Sequence, residues 1–372
     1  MNFEFGEEQN LLRDQARGFL ADHCSPALVR RVLDGDELYA EDLWHKVAQM
    51  GWTATAIPEE YGGLGLSYLE LVVIAEELGR ACAPIPFSSS VYLATEALLL
   101  AGNAAQKEHW LPQLAAGEAI GTFAYSEGSG QPSAERLITQ VSSGKMTGSK
   151  AVVADAEVSQ LMIVVAKSEV GDGASLYLVP TDQSAVHLET VKTVDPTRNH
   201  ANVRFDEADA QLLGQEGQGW TLLTQLLNRA AVLLAWEQLG AADTCLEMAK
   251  NYAMGRYAFG RPIASYQAIK HKLADMYVKN TLARSNAYYG AWALNTNAVE
   301  LPLAAATARV GSSQALYFAA KENIQTHGGM GYTWEFDCQF YYRRAKILAL
   351  VIGSEGVWQE KLIQASDELD VA

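Results

Sequence analysis

The stretch Arg229-Ala230-Ala231-Val232-Leu233-Leu234-Ala235-Trp236-Glu237-Gln238-Leu239-Gly240 lies inside a segment, residues 220–255, that lacks proline and has one internal glycine, Gly240. Such a segment reaches or exceeds the ~25 residues usual for an uncapped globular helix. It predicts one long helix, and further long helices fit 265–295, 303–325 and 339–367. Long helices joined by short connectors predict a bundle. The longest apolar run, Ala230 to Trp236, is followed by Glu237 and falls well short of the ~18 residues that span a bilayer. A charge at Glu237 is costly to bury without a function or a partner.

Upstream of the bundle the texture changes twice. Residues 119–213 carry short β-rich runs, Leu161–Ala166 and Ser175–Val179. A hairpin-type turn signal, Val170-Gly171-Asp172-Gly173, separates them, and Ser142-Ser143-Gly144 and Thr147-Gly148 are further turn signals. These predict a small antiparallel sheet domain. Residues 1–118 read as helical, with Leu12, Ala16, Phe19 and Leu20 on one face. Ser67 and Glu70 form a capping-box pattern before a second apolar run. The cluster Tyr61-Gly62-Gly63-Leu64-Gly65 predicts a tight loop with positive φ. The expected architecture is α+β multidomain and mainly α: an N-terminal helical domain (1–118), a β domain (119–213) and a C-terminal four-helix bundle (214–372).

Composition bounds the chemistry. The chain has 372 residues, 28 Lys plus Arg and 44 Asp plus Glu, a net charge of −16. That balance argues against nucleic acid or an anionic membrane as the main partner. The first residues, Met1 to Glu8, have neither a basic nor an apolar signal region. Cys24, Cys82, Cys245 and Cys338 are far apart and fit a reduced, cytoplasmic setting. The seven histidines have no metal-ligand spacing, so no metal is expected. Nucleophile-elbow and phosphate-loop motifs do not occur.

Four ordered blocks then carry a resemblance. They are Ile57-Pro58-Glu59-Glu60-Tyr61-Gly62-Gly63-Leu64-Gly65, Glu76-Glu77-Leu78-Gly79-Arg80, Arg256-Tyr257-Ala258-Phe259-Gly260-Arg261-Pro262-Ile263 with Gln267, and Gln325-Thr326-His327-Gly328-Gly329-Met330-Gly331. Together they resemble the acyl-CoA dehydrogenase family over nearly the whole chain. The resemblance implies FAD, an acyl-CoA substrate oxidised to the trans-2-enoyl thioester, and an electron-transfer flavoprotein or similar acceptor. It also implies a homo-oligomer, a dimer or tetramer, with a heteromer left open. FAD would be held by Arg256, Phe259, Gln267, Gln325 and Gly329 across a subunit interface, and near Ser354. Arg256 suits a pyrophosphate through its planar fork, and Phe259 suits a flat ring. Singly, Arg256 could be a solvated helix-end cation and Phe259 core. In the sheet domain, Phe123, Tyr125 and Ser126 correspond to the segment at the flavin edge, with Ser126 in place of a threonine. Val152 and Ala154 replace the tryptophan and threonine of the next block.

The base is the other departure. The family removes an α-proton with a glutamate, and here the two positions that carry it read Ile352 and Ala230. Glu237 lies seven residues after Ala230 on nearly the same helix face, about 10 Å further along. It is the expected base, and the alternative is a Glu paired with a nearby Arg or facing solvent. Glu355 is a weaker candidate. Three readings follow: a dehydrogenase with a displaced base, a same-fold flavin oxidase or monooxygenase, and a non-catalytic partner subunit of a heteromeric dehydrogenase.

Overall fold

The computed structural model describes residues 5–130, 132–168 and 173–371. In chain order the helices are α1 (Glu7–His23), α2 (Pro26–Asp34), α3 (Glu41–Gln49), α4 (Tyr68–Arg80), α5 (Glu96–Ala101) and α6 (Ala104–Ala115). A π-helix, Ser88–Thr95, leads directly into α5. The strands β1 (Gly121–Ala124), β2 (Gln140–Ser142), β3 (Lys145–Ala154), β4 (Leu161–Lys167), β5 (Ala174–Pro180), β6 (Val186–Thr190), β7 (His200–Asp209) and β8 (Gln211–Leu213) follow. Then come α7 (Gly219–Gly255), a hairpin of β9 (Tyr257–Ala258) and β10 (Arg261–Pro262), α8 (Gln267–Thr296), α9 (Leu301–His327), α10 (Cys338–Leu348) and α11 (Glu355–Val371). Among the described residues no helix is long and apolar enough to cross a membrane.

Two expectations need correction. The helix expected over 339–367 is two helices, α10 and α11. The break holds Gly353 at φ 108, a conformation that strongly favours glycine, and a bridge between Val351 and Gly353. The sheet is not purely antiparallel: β1 runs parallel to β4, with Gly121 opposite Leu161, and β2 also meets β4 in parallel. The strand order is β6-β7-β3-β2-β4-β5-β8, with β1 joined to β4. β4 is buried on both faces, which is why its sequence is a continuous apolar run rather than an alternation. The turn expected at Val170-Gly171-Asp172 lies outside the described residues. The expected glycine loop is present: Gly62 and Gly65 have φ 78 and 59. Gly63 is required for space instead, since a Cβ there would sit 1.9 Å from the Ile57 carbonyl oxygen.

The chain forms two compact units, one of residues 30–67 and 84–230, the other of 1–29, 68–83 and 231–372. In the first, the sheet encloses a core that includes Met146, Met162, Val164, Val179 and Phe205. Its helices are tied by side-chain bonds to backbone, such as Trp44 Nε1 donating to Gly117 O at 2.9 Å. α6 begins with a reciprocal cap: Asn103 Oδ1 accepts from Gln106 N (2.9 Å) and Gln106 Oε1 from Asn103 N (3.1 Å). In the second unit, α4 lies directly against α7. A Cβ at Gly79 would be 1.8 Å from Glu237 O, and one at Gly240 would be 1.8 Å from Glu76 O. Two glycines, one on each helix, let the backbones touch.

Candidate cofactor and catalytic site

The expected site residues fall into two groups, one in each unit. In the sheet unit, Phe123 is the third residue of β1 and is buried. Tyr125 stacks on it with ring centroids 5.7 Å apart. Ser126 follows, its Oγ donating to Gly128 O at 3.2 Å. Its carbonyl accepts from Ala151 N at 2.8 Å, so the two segments expected at a flavin edge are adjacent. Ala154 ends β3 opposite His200. Between Lys150 and Val153 the β3–β7 register slips, a bulge of the kind that re-aims side chains beside functional sites. Val152 there has φ 53 and is half exposed.

In the helical unit, Arg256 follows the last residue of α7 and is exposed. The β9–β10 hairpin carries Phe259 and Gly260 at its tip, with φ 52 and 80. Phe259 is 97% exposed, which excludes its being core. Arg261 stacks over Tyr266 at 4.0 Å and Tyr266 Oη donates to Ala258 O, so the hairpin is held from behind while its tip projects. Gln267 opens α8 and Gln325 lies in the last turn of α9, both exposed. Nothing lies within 4 Å of a Cβ placed at Gly328 or Gly329, which suits close approach of a ligand. Gly331 differs: a Cβ there would meet Ile324 O at 2.4 Å, so its reason is internal packing. Ser354 is exposed before α11.

These groups fit FAD. An almost fully exposed phenylalanine on a strained tip lacks apolar cover from its own chain, and a flat ligand ring supplies it. A guanidinium, two amides and an open glycine pair accompany it, and all are pyrophosphate- or base-compatible donors or clearances.

The carboxylates are arranged otherwise. Glu237 is buried, 5% exposed, and its Oε1 lies 3.7 Å from Arg344 Nη1. Arg344 is buried too and donates to Ala83 O at 3.3 Å and Cys82 O at 3.5 Å. Glu237 therefore has the partner that a buried charge requires. The pair explains how a carboxylate interrupts the apolar run. Sequence reading missed Arg344, whose only signal is a second arginine after Arg343 on a predicted helix. Ile352 is 2% exposed and Ala230 is fully buried, so the two positions expected to correspond to the family's base are apolar and packed. Glu355 is exposed and accepts from Gln314 Nε2 at 2.6 Å and Gln359 Nε2 at 2.9 Å. Sequence reading also missed Glu127 and Lys150, a pair 2.7 Å apart beside Ser126. Among the described residues no group of His, Cys, Asp and Glu could hold a metal ion.

Comparison with known proteins finds matches over nearly the whole chain. The sequence profile of the acyl-CoA dehydrogenase N-terminal domain matches residues 6–118, and that of the C-terminal domain matches 217–366. The chain is 34% identical over 340 residues to acyl-CoA dehydrogenase IpdE2 of Mycobacterium tuberculosis, covering 91% of each. It is 30% identical over 370 residues to the human mitochondrial short-chain specific acyl-CoA dehydrogenase, covering 95% of this chain and 89% of that one. Among solved structures, a variant of the Tcur3481–Tcur3483 steroid ACAD superposes with a TM-score of 0.89 at 28% identity, covering 99% of each chain.

Proposed function

Because the chain belongs to the acyl-CoA dehydrogenase family, whose members are FAD-dependent oxidoreductases acting on acyl-CoA, we propose that it takes part in α,β-dehydrogenation of an acyl-CoA thioester to the trans-2-enoyl-CoA, with the proton-abstracting carboxylate supplied by an unlike subunit of the same fold. The observation that carries this reading is the buried Glu237–Arg344 pair at 3.7 Å, together with apolar, buried Ile352 and Ala230. A general base must come within hydrogen-bond reach of its proton. Glu237 is 5% exposed and is engaged with a guanidinium. The solved relative named for two chains, Tcur3481–Tcur3483, supports a two-subunit arrangement.

In this reading Arg256 would hold the pyrophosphate, with Gln267, Gln325 and Gly329 beside it. Phe259 would cover a flat ring of the cofactor, and Ser354 would lie near it. Ser126 and the backbone at Ala154 would meet the isoalloxazine edge, with Phe123 and Tyr125 backing them. FAD, when bound, supplies the acceptor for the hydride that leaves the β-carbon. Ile352 keeps water away from the place where other members carry a carboxylate. An electron-transfer flavoprotein or similar acceptor is part of the proposal, as is a reducing, cytoplasmic setting, which four free buried cysteines support.

The test is anaerobic. The chain purified alone and loaded with FAD should keep its flavin colour when a panel of acyl-CoAs is added. Ile352→Glu should restore bleaching by some of them. Bleaching by the unaltered chain alone, abolished in Glu237→Gln, would overturn the proposal and return the base to Glu237.

A further inference from the structure

Glu127 follows Ser126, and its carboxylate collects three donors. Lys150 Nζ lies 2.7 Å from Oε1, Thr139 N 3.0 Å from the same oxygen, and Ile138 N 2.5 Å from Oε2. Next to Lys150, Ala151 N donates to Ser126 O at 2.8 Å. Residues 126–127 are thus bound to 150–151 by one backbone bond and one ionic bond, and to 138–139 by two more. The local loop offers less. Gly128 and Gly130 have φ 151 and 102, and Ser126 Oγ bonds within it to Gly128 O. The Lys150 side chain is fully buried, with a side-chain exposure of 0%.

We propose that Lys150 and Glu127 are positioning residues whose ion pair sets the place of Ser126 against β3 and thereby tunes how the chain holds the flavin edge. The proposal rests on the reading above that Ser126 meets that edge. A buried lysine is an expensive way to join two strands, and apolar side chains of the same volume would do as well or better for stability alone. Its location, beside both of the segments assigned to the cofactor, gives it another use. Burial pushes the Lys150 ammonium down to about 8, against the opposing pull of Glu127. Burial acts against the Glu127 anion as well. The bonds from Lys150, Ile138 and Thr139 outweigh it, and its carboxyl is held below the usual range. Glu127 is the charged group that acts on the Lys150 ammonium, whereas His187, Glu189 and Arg204 are exposed side chains around an open groove of about 430 Å³ along β3, β6 and β7. The pair is therefore intact at neutral pH and loses its cation as pH rises through about 8.

The experiment uses the assembled protein and reads FAD affinity and visible spectrum between pH 6 and 9.5, with thermal unfolding of the FAD-free protein as control. The unaltered protein should weaken for FAD, or shift its spectrum, with a midpoint near pH 8. Lys150→Met should weaken FAD about 10-fold or more at pH 7 and lose the step. Lys150→Arg should restore affinity and move the step out of range. If Lys150→Met does not fold, Glu127→Gln and the pH profile of the unaltered protein carry the test. A folded Lys150→Met with unchanged affinity and spectrum overturns the proposal, and so does a pH step that persists in it. Ser126→Ala separates the two levels. If it is silent in affinity and spectrum, the flavin-edge assignment fails. If it is effective while Lys150→Met is silent, that assignment stands and the positioning role fails.

Discussion

Glu237→Gln separates a buried ion pair from a catalytic base. Removing one partner of a buried pair costs about 3–5 kcal/mol when the other is left uncompensated. Here Arg344 keeps two backbone acceptors, Ala83 O and Cys82 O at 3.3–3.5 Å. The Gln amide oxygen also remains in place of Oε1, so the expected loss is smaller, about 2 kcal/mol. For a body of 150–250 residues that lowers Tm by about 4–8 °C. Arg344→Met alone takes this cation from a buried carboxylate and should cost more, about 3–5 kcal/mol. The double variant Glu237→Gln/Arg344→Met leaves two neutral side chains and should recover most of the loss. The coupling from the double-mutant cycle is the diagnostic quantity. Thermal unfolding gives the stabilities, and stopped-flow anaerobic flavin reduction of the assembled enzyme gives the rate per folded protein. That rate should stay within a few-fold of the unaltered enzyme. A Glu237→Gln variant with unchanged Tm and flavin reduction slowed about 10²-fold or more would refute the structural reading, because that pattern belongs to a general base.

Other outcomes follow from the same packing. Gly79→Ala places a methyl 1.8 Å from Glu237 O and forces α4 away from α7, costing about 3 kcal/mol in denaturant unfolding. Phe259→Ala should leave the unfolding of the FAD-free protein unchanged, since the ring is 97% exposed, while FAD occupancy falls in a spectroscopic titration. Burial acts against the Glu76 anion, but Arg284, Arg13 and Arg80 outweigh it and hold its carboxyl below the usual 4.5. Glu76 therefore contributes stability that is present above 4.5 and lost as pH falls through its lowered value, and Glu76→Gln should flatten that acid limb of the Tm–pH curve.

The sequence by itself determined the family and the succession of helical, sheet and helical regions. Proline-free periodicity marked α7, α8 and α9 to within a few residues, because helix formation depends on neighbours three and four positions away. Motif order marked the block Arg256–Ile263 and the glycines at 328 and 329, because close approach of backbone to a ligand is a local demand. What only the tertiary structure decided involves groups distant in the chain. The meaning of Glu237 depends on Arg344, more than a hundred residues later, and no local pattern pairs them. Gly79 and Gly240 are ordinary helix glycines until α4 meets α7 backbone to backbone. The parallel β1–β4 pairing, which neither strand's own sequence specifies, and the Glu127–Lys150 bond beside Ser126 have the same origin. Periodicity reports which face of an element is buried, and only the packed chain reports against what.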